Sequence, residues 1–277
     1  MTQQVAQRPT KIDALKSILK APSVQEQFQN ALKENSGAFV ASVIDLYNGD
    51  NNLQQCEPKE VVMEALKAAV LKLPINKSLG FAYIIPYNNS VKGQDGTWTK
   101  KLQPQFEMGY KGYIQMAMRT GQYRFINADM VYEGELREAN KLTGEIDFTG
   151  QRKNDNVIGY FAYIELLNGF SKTLYMTKER ITAHAKKYSK SYGGSSSPWT
   201  KHFDEMCLKT VLKNLLSHYG FLSVEMMAAF DNDEQPDYSG NNGANTKEIG
   251  IVEEAEVVPA TPSEEVAQEP VVTGPGF

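Results

Sequence analysis

The spacing of the apolar residues changes at Pro74, and that change requires a mixed architecture. From Pro58 to Leu73 the apolar residues Val61, Val62, Ala65, Leu66, Ala69, Val70 and Leu73 recur at helical spacing, behind a proline suited to a first turn. Beyond Pro74 the helical spacing is lost, and Phe81-Ala-Tyr-Ile-Ile-Pro-Tyr87 reads as a strand. Lys92 to Thr97 supply Gly and Asp-Gly turn chemistry, and Trp98 to Leu102 lead back to Gln105–Met108. The pattern predicts a β-hairpin whose returning limb carries Trp98, Lys100 and Lys101.

Around this hairpin the spacing predicts a helix over 36–47 and another over 110–120. Strands are expected around 122–133 and 157–176, then a helix from Lys178 to about Ser189. A Gly/Ser loop before Pro198 introduces a long helix from Trp199 to Tyr219, and a short apolar segment runs from Phe221 to Phe230. There are no internal repeats. The expected fold is α+β, one domain over residues 35–230 with a small antiparallel sheet. Residues 1–34 read as a helical arm whose stripe (Ile12, Leu15, Ile18, Leu19) is too narrow for a core of its own and suits contact with a neighbouring subunit. Residues 231–277, rich in Gly, Asn, Pro and Glu without periodicity, read as a disordered acidic tail.

Charge is divided unevenly along the chain. Of 29 Lys+Arg and 33 Asp+Glu, residues 225–277 hold one base and twelve acids, a net of −11. Residues 1–224 therefore carry +7, and nine bases against three acids are concentrated in 172–213. A basic body suits a polyanionic partner. The longest apolar runs are too short to cross a bilayer, the N-terminus has no hydrophobic signal region, and the two cysteines, Cys56 and Cys207, suit a reducing compartment. The expectation is a cytoplasmic protein without membrane contact.

Several chemistries are disfavoured. No Gly-Lys dipeptide occurs, so no P-loop can be built, and Gly109-Tyr-Lys-Gly112 has too few glycines for a dinucleotide fingerprint. Asp45 or Asp50 followed by Glu57-Pro-Lys59 matches a metal-nuclease pattern loosely, but Pro58 places Glu57 at a helix cap instead of on a strand. The three histidines form no readable triad, and His202 and Cys207, five apart on a helix, suit packing better than metal ligation. No catalytic residue, metal or cofactor is expected.

The remaining bases fall at helical spacing. Along 199–219, Lys209, Lys213 and Ser217 recur at i, i+4 and i+8 beside the apolar arc of Leu208, Val211, Leu212 and Leu215. Glu205 precedes Lys209 by one turn; no acid stands one turn from Lys213 on that helix. Along 110–120, Lys111, Gln115 and Arg119 share a face. Such stripes can follow a phosphate backbone, and the aromatics between the bases can stack on unpaired nucleobases. Trp98, beside a turn and two lysines, suits an exposed position, whereas Tyr110 and Trp199 suit the core. Charge and aromatics alone leave open a passive coat for single-stranded DNA or RNA.

Three blocks go further. Gln105–Gln122, with Gly109-Tyr-Lys-Gly112 at its centre, resembles the Gly-Tyr-Arg-Gly segment of the RecT family of phage recombinases. Phe81–Tyr87 and Pro198–Lys213 resemble that family's other two blocks, in the same order. The resemblance implies a Rad52/RecT-like single-strand annealing domain that assembles into rings or helical filaments. It implies ATP-independent annealing of complementary strands in homologous recombination. The expected partners are single-stranded DNA, the annealed duplex, further copies of the chain, a phage 5′-to-3′ exonuclease and a host single-stranded DNA-binding protein. The host would be a bacterium carrying the phage or prophage. On this chain the resemblance, taken with the basic stripes, assigns DNA contacts to Trp98, Lys100, Lys101, Lys111, Gln115, Arg119, Lys186, Lys190, Lys201, Lys209 and Lys213. Lys111 stands where the family segment has Arg, which keeps the charge but forgoes a bidentate fork.

Overall fold

A computed structural model describes residues 10–92, 96–189, 191–195 and 197–233, all within the first of two compact units, Met1–Ser239. Lys190 and the acidic segment from residue 234 onward lie outside the described residues. Before Pro74 the chain is helical: α1 (Lys11–Lys20), α2 (Pro22–Leu32), α3 (Ser36–Gly49) and α4 (Pro58–Val70). A capping box opens α1, with Thr10 Oγ1 accepting from Asp13 N at 3.3 Å and the Asp13 carboxylate accepting from Thr10 N at 3.1 Å. Much of the narrow stripe of α1 is used within the chain. Leu15 and Leu19, with Phe28 of α2, are buried in the same core as α4, each burial worth on the order of 2 kcal/mol.

After Pro74 the hairpin forms as the sequence predicts. β1 (Ala82–Lys92) pairs antiparallel with β2 (Trp98–Met108), in register from Ala82 opposite Met108 to Lys92 opposite Trp98. Its base enters the core through Ala82, Ile84, Phe106 and Met108. At the far end Trp98, Thr99 and Lys100 are all exposed. Successive strand residues point to opposite faces, so this end stands clear of the core on both sides.

A glycine pair sets the turn into α5 (Tyr110–Arg119). A Cβ at Gly109 would lie 2.2 Å from the Gly80 carbonyl oxygen, and one at Gly112 would lie 2.3 Å from that of Phe81. Only glycine lets α5 approach the start of β1 so closely.

β3 (Tyr123–Tyr132), β6 (Val157–Leu166) and β7 (Ser171–Thr177) form a three-stranded antiparallel sheet in that order. Ile126, Ala128, Met130, Tyr160, Ala162, Ile164, Leu174 and Met176 line the face turned to the core. Between β3 and β6 an unpredicted excursion carries the two-residue strands β4 (Glu138–Ala139) and β5 (Ile146–Asp147). Phe148 of the excursion packs on the other face of the sheet, 4.9 Å from Phe161.

Thr177 caps α6 (Lys178–Tyr188), its Oγ1 accepting from Arg180 N at 3.2 Å. The expected continuous helix from Trp199 is two helices, α7 (Pro198–Lys201) and α8 (Phe203–Tyr219), separated at His202 with φ −138° and ψ 53°. The break accompanies the burial of Trp199, which meets Tyr192 and Phe203 edge-on. α8 then crosses the sheet and packs on α5, and α9 (Val224–Asp233) closes the described chain.

Candidate nucleic-acid interface

The hairpin separates the three residues it carries. Trp98 and Lys100 share one face, and Trp98 is 50% exposed. Lys101 points to the other face, where its Nζ lies 3.0 Å from the Glu60 carboxylate of α4. Trp98 and Lys100 are therefore presented at the exposed end, while Lys101 ties the hairpin to the helical half. Glu107 lies nine residues from Trp98 along β2, about 30 Å at strand rise, so base and tip are separate places on the surface.

At the base, a cluster forms that no local pattern revealed. The Lys209 ammonium of α8 meets Glu107 Oε2 at 3.0 Å, with side chains only 14% and 20% exposed, and the Tyr87 hydroxyl lies 3.5 Å from the other Glu107 oxygen. Lys111, exposed at the start of α5, lays its stem against Gly80 beside the Tyr83 hydroxyl. Burial raises the pKa of Tyr83, Glu205 and Tyr110 raise it further, and Lys209 lowers it. The structure thus brings Lys111 and Lys209 together around Tyr83, with Lys209 already paired to a carboxylate.

The stripe on α5 does not survive as a track of cations. Gln115 is half-buried. Arg119 Nη1 donates to the Leu71 carbonyl at 2.6 Å and Nη2 to the Lys72 carbonyl at 2.8 Å, closing the C-terminus of α4. The residue as a whole stays exposed, while partial desolvation of the guanidinium lowers its pKa. Arg119 lines a cavity of about 420 Å³ with Leu32, Phe39 and Lys72, behind the helical half.

Lys186 and Lys201 are exposed, in the last turns of α6 and α7. The break at His202 puts Lys201 on a different helix from Lys209 and Lys213. Lys213, half-buried on α8, is close enough to His184 of α6 to depress its pKa. Lys190 lies outside the described residues.

The thiols are inert at neutral pH: burial pushes Cys56 up to about 11 and Cys207 up to about 12. Among the described residues no three His, Cys, Asp or Glu side chains come together as a metal site; Glu57 stands at the N-cap position of α4 without a side-chain capping bond, and Asp45 lies on α3. No described helix is long and apolar enough to cross a membrane.

The mixed helical and strand architecture, with its small antiparallel sheets, is consistent with an α+β domain of RecT/Rad52-like type. The RecT family model matches residues 37–247, so the chain belongs to the RecT family, a family of single-strand annealing proteins in recombination. It is 45% identical over 222 residues to the uncharacterized protein YqaK of Bacillus subtilis strain 168, covering 80% of this chain and 72% of that one. It is also 26% identical over 250 residues to Protein RecT of Escherichia coli K12, covering 87% and 88% respectively.

Proposed function

We propose that this protein binds single-stranded DNA on its basic, aromatic-bearing surface and anneals complementary strands in recombination without hydrolysing a nucleotide. Copies of the chain act side by side in a ring or helical filament, with a 5′-to-3′ exonuclease supplying the strand and a host single-stranded DNA-binding protein as a further partner. The setting is the cytoplasm of a bacterium carrying the phage or prophage.

The observation that carries this reading is the hairpin end, exposed on both faces, with Trp98 and Lys100 on one of them. An indole beside an ammonium can stack on a base while the cation meets its phosphate. In the proposed mechanism the cations neutralise a first strand and hold its bases outward. A complementary strand then pairs against it, and base pairing supplies the free energy.

The test is to mix two complementary fluorescent oligonucleotides with the protein and no ATP, against a protein-free control. Accelerated pairing is expected, with a stable protein–duplex assembly only when the strands are added singly. Binding without acceleration would establish a passive coat, and absence of binding would reduce the exposed lysines to solvated surface.

A further inference from the structure

Arg180, His184, Lys187 and Tyr188 recur on α6 at i, i+4, i+7 and i+8, and so share one arc beside the buried Ile181 and Ala185. Arg180 and Lys187 are exposed, Tyr188 is 65% exposed, and the His184 ring lies 4.7 Å from that of Tyr188. Lys187 Nζ sits 4.9 Å from the Tyr188 ring centre. Lys213 of α8 acts on the same imidazole electrostatically. His184 Nδ1 is buried and no described group bonds it. A buried ring nitrogen without a hydrogen-bond partner costs free energy, and it can become a donor to an anion only by taking up a proton.

We propose that Arg180, His184, Lys187 and Lys213 form a phosphate-binding cluster that takes up a proton on His184 when a strand phosphate seats there, with Tyr188 as the adjoining stacking surface. This rests on the strand-binding function proposed above and adds to it a site and a dependence on pH. The electrostatics have a definite sign. In the free protein, burial and then Lys213, Arg180 and Lys187 hold the His184 pKa below 6.5. A phosphate beside those three cations offsets their repulsion and favours imidazolium, so the pKa is higher in the complex. Affinity then rises as pH falls through the complex's pKa and levels off below that of the free protein.

The surroundings agree. α6 packs on β6 and β7, whose core-facing titratable residues are Tyr160 and Lys172. The Tyr160 hydroxyl donates to Asp204 at 2.6 Å, and Lys172 Nζ donates to the Thr143 carbonyl at 2.8 Å. From α8 the group acting on His184 is Lys213, a cation.

The probe is an oligothymidylate, whose bases do not titrate near neutrality, bound at constant ionic strength from about pH 6 to about pH 8 and followed by fluorescence anisotropy. The wild-type protein is expected to gain up to about tenfold in affinity per pH unit within the window. His184→Gln is expected to lose that slope while keeping its binding near pH 8, and His202→Gln and His218→Gln to retain it. Wild-type binding that is flat with pH, or an equal slope in His184→Gln, overturns the proposal and leaves strand binding standing. No binding at any pH overturns strand binding itself, and the cluster with it. If His184→Gln fails to fold, calorimetry of the wild-type protein in two buffers of different ionisation enthalpy counts the protons directly. Net uptake near pH 6.5 supports the cluster, and none overturns it.

Discussion

Lys209 shows how far a residue's role depends on what lies opposite it. Its helical spacing marks it as a phosphate ligand, yet Glu107 of the hairpin base meets it in a largely buried pair. Replacing it by alanine leaves that carboxylate without its lysine in a poorly solvated place, which costs about 1–3 kcal/mol. Urea denaturation should therefore show a clear loss for Lys209→Ala, with Lys111→Ala and Lys201→Ala within about 0.5 kcal/mol of the parent. Equal stability in all three would mean that the pair contributes nothing. Any substitution of Lys209 therefore mixes folding with binding, and exposed lysines give the cleaner binding test. Trp98 offers a direct optical one. Of two tryptophans, Trp199 is buried and Trp98 half exposed, so a bound strand should quench Trp98 fluorescence. That quench should vanish in Trp98→Phe; its persistence would place the strand elsewhere.

Among the elements, α4 and α5 are held together by a cap that local pattern disguises. The spacing of Lys111, Gln115 and Arg119 reads as a cationic face, but the Arg119 fork bonds two carbonyls at the end of α4. Arg119→Ala should lower the unfolding free energy by about 1–3 kcal/mol and leave strand affinity at a given salt nearly unchanged. Weakened binding with unaltered stability would restore the phosphate role. The glycines of Gly109-Tyr-Lys-Gly112 likewise serve packing: Gly112→Ala places a Cβ against the Phe81 carbonyl and should destabilise by about 1–3 kcal/mol. Helix and strand types were legible because spacing, prolines and caps act within one turn. The break at His202 was not, because it depends on where the Trp199 ring packs. The excursion with β4 and β5 was equally hidden, since two-residue strands have too few positions to show a period.

Over the whole molecule, charge is the organising quantity. Residues 234–277 carry nine acids and one lysine, a net of −8, against +4 for residues 1–233. If those acids compete with DNA for the basic surface, deleting 234–277 raises strand affinity at low salt, and the gain fades as screening grows. Identical binding curves would leave the acids a solubilising role only. Strand affinity should fall with salt at a log–log slope near −0.7 for each phosphate neutralised, and Lys100→Ala should reduce that slope by about one phosphate's share. An affinity indifferent to salt would count against every lysine assigned here. The sequence by itself determined the order of helices and strands, the hairpin, the charge division and the family blocks, because each is written in residues near one another along the chain. Tertiary structure decided which cations remain available to a polyanion. Lys101, Arg119 and Lys209 are engaged by groups 41, 48 and 102 residues away, and packing alone brings such partners within reach of a hydrogen bond.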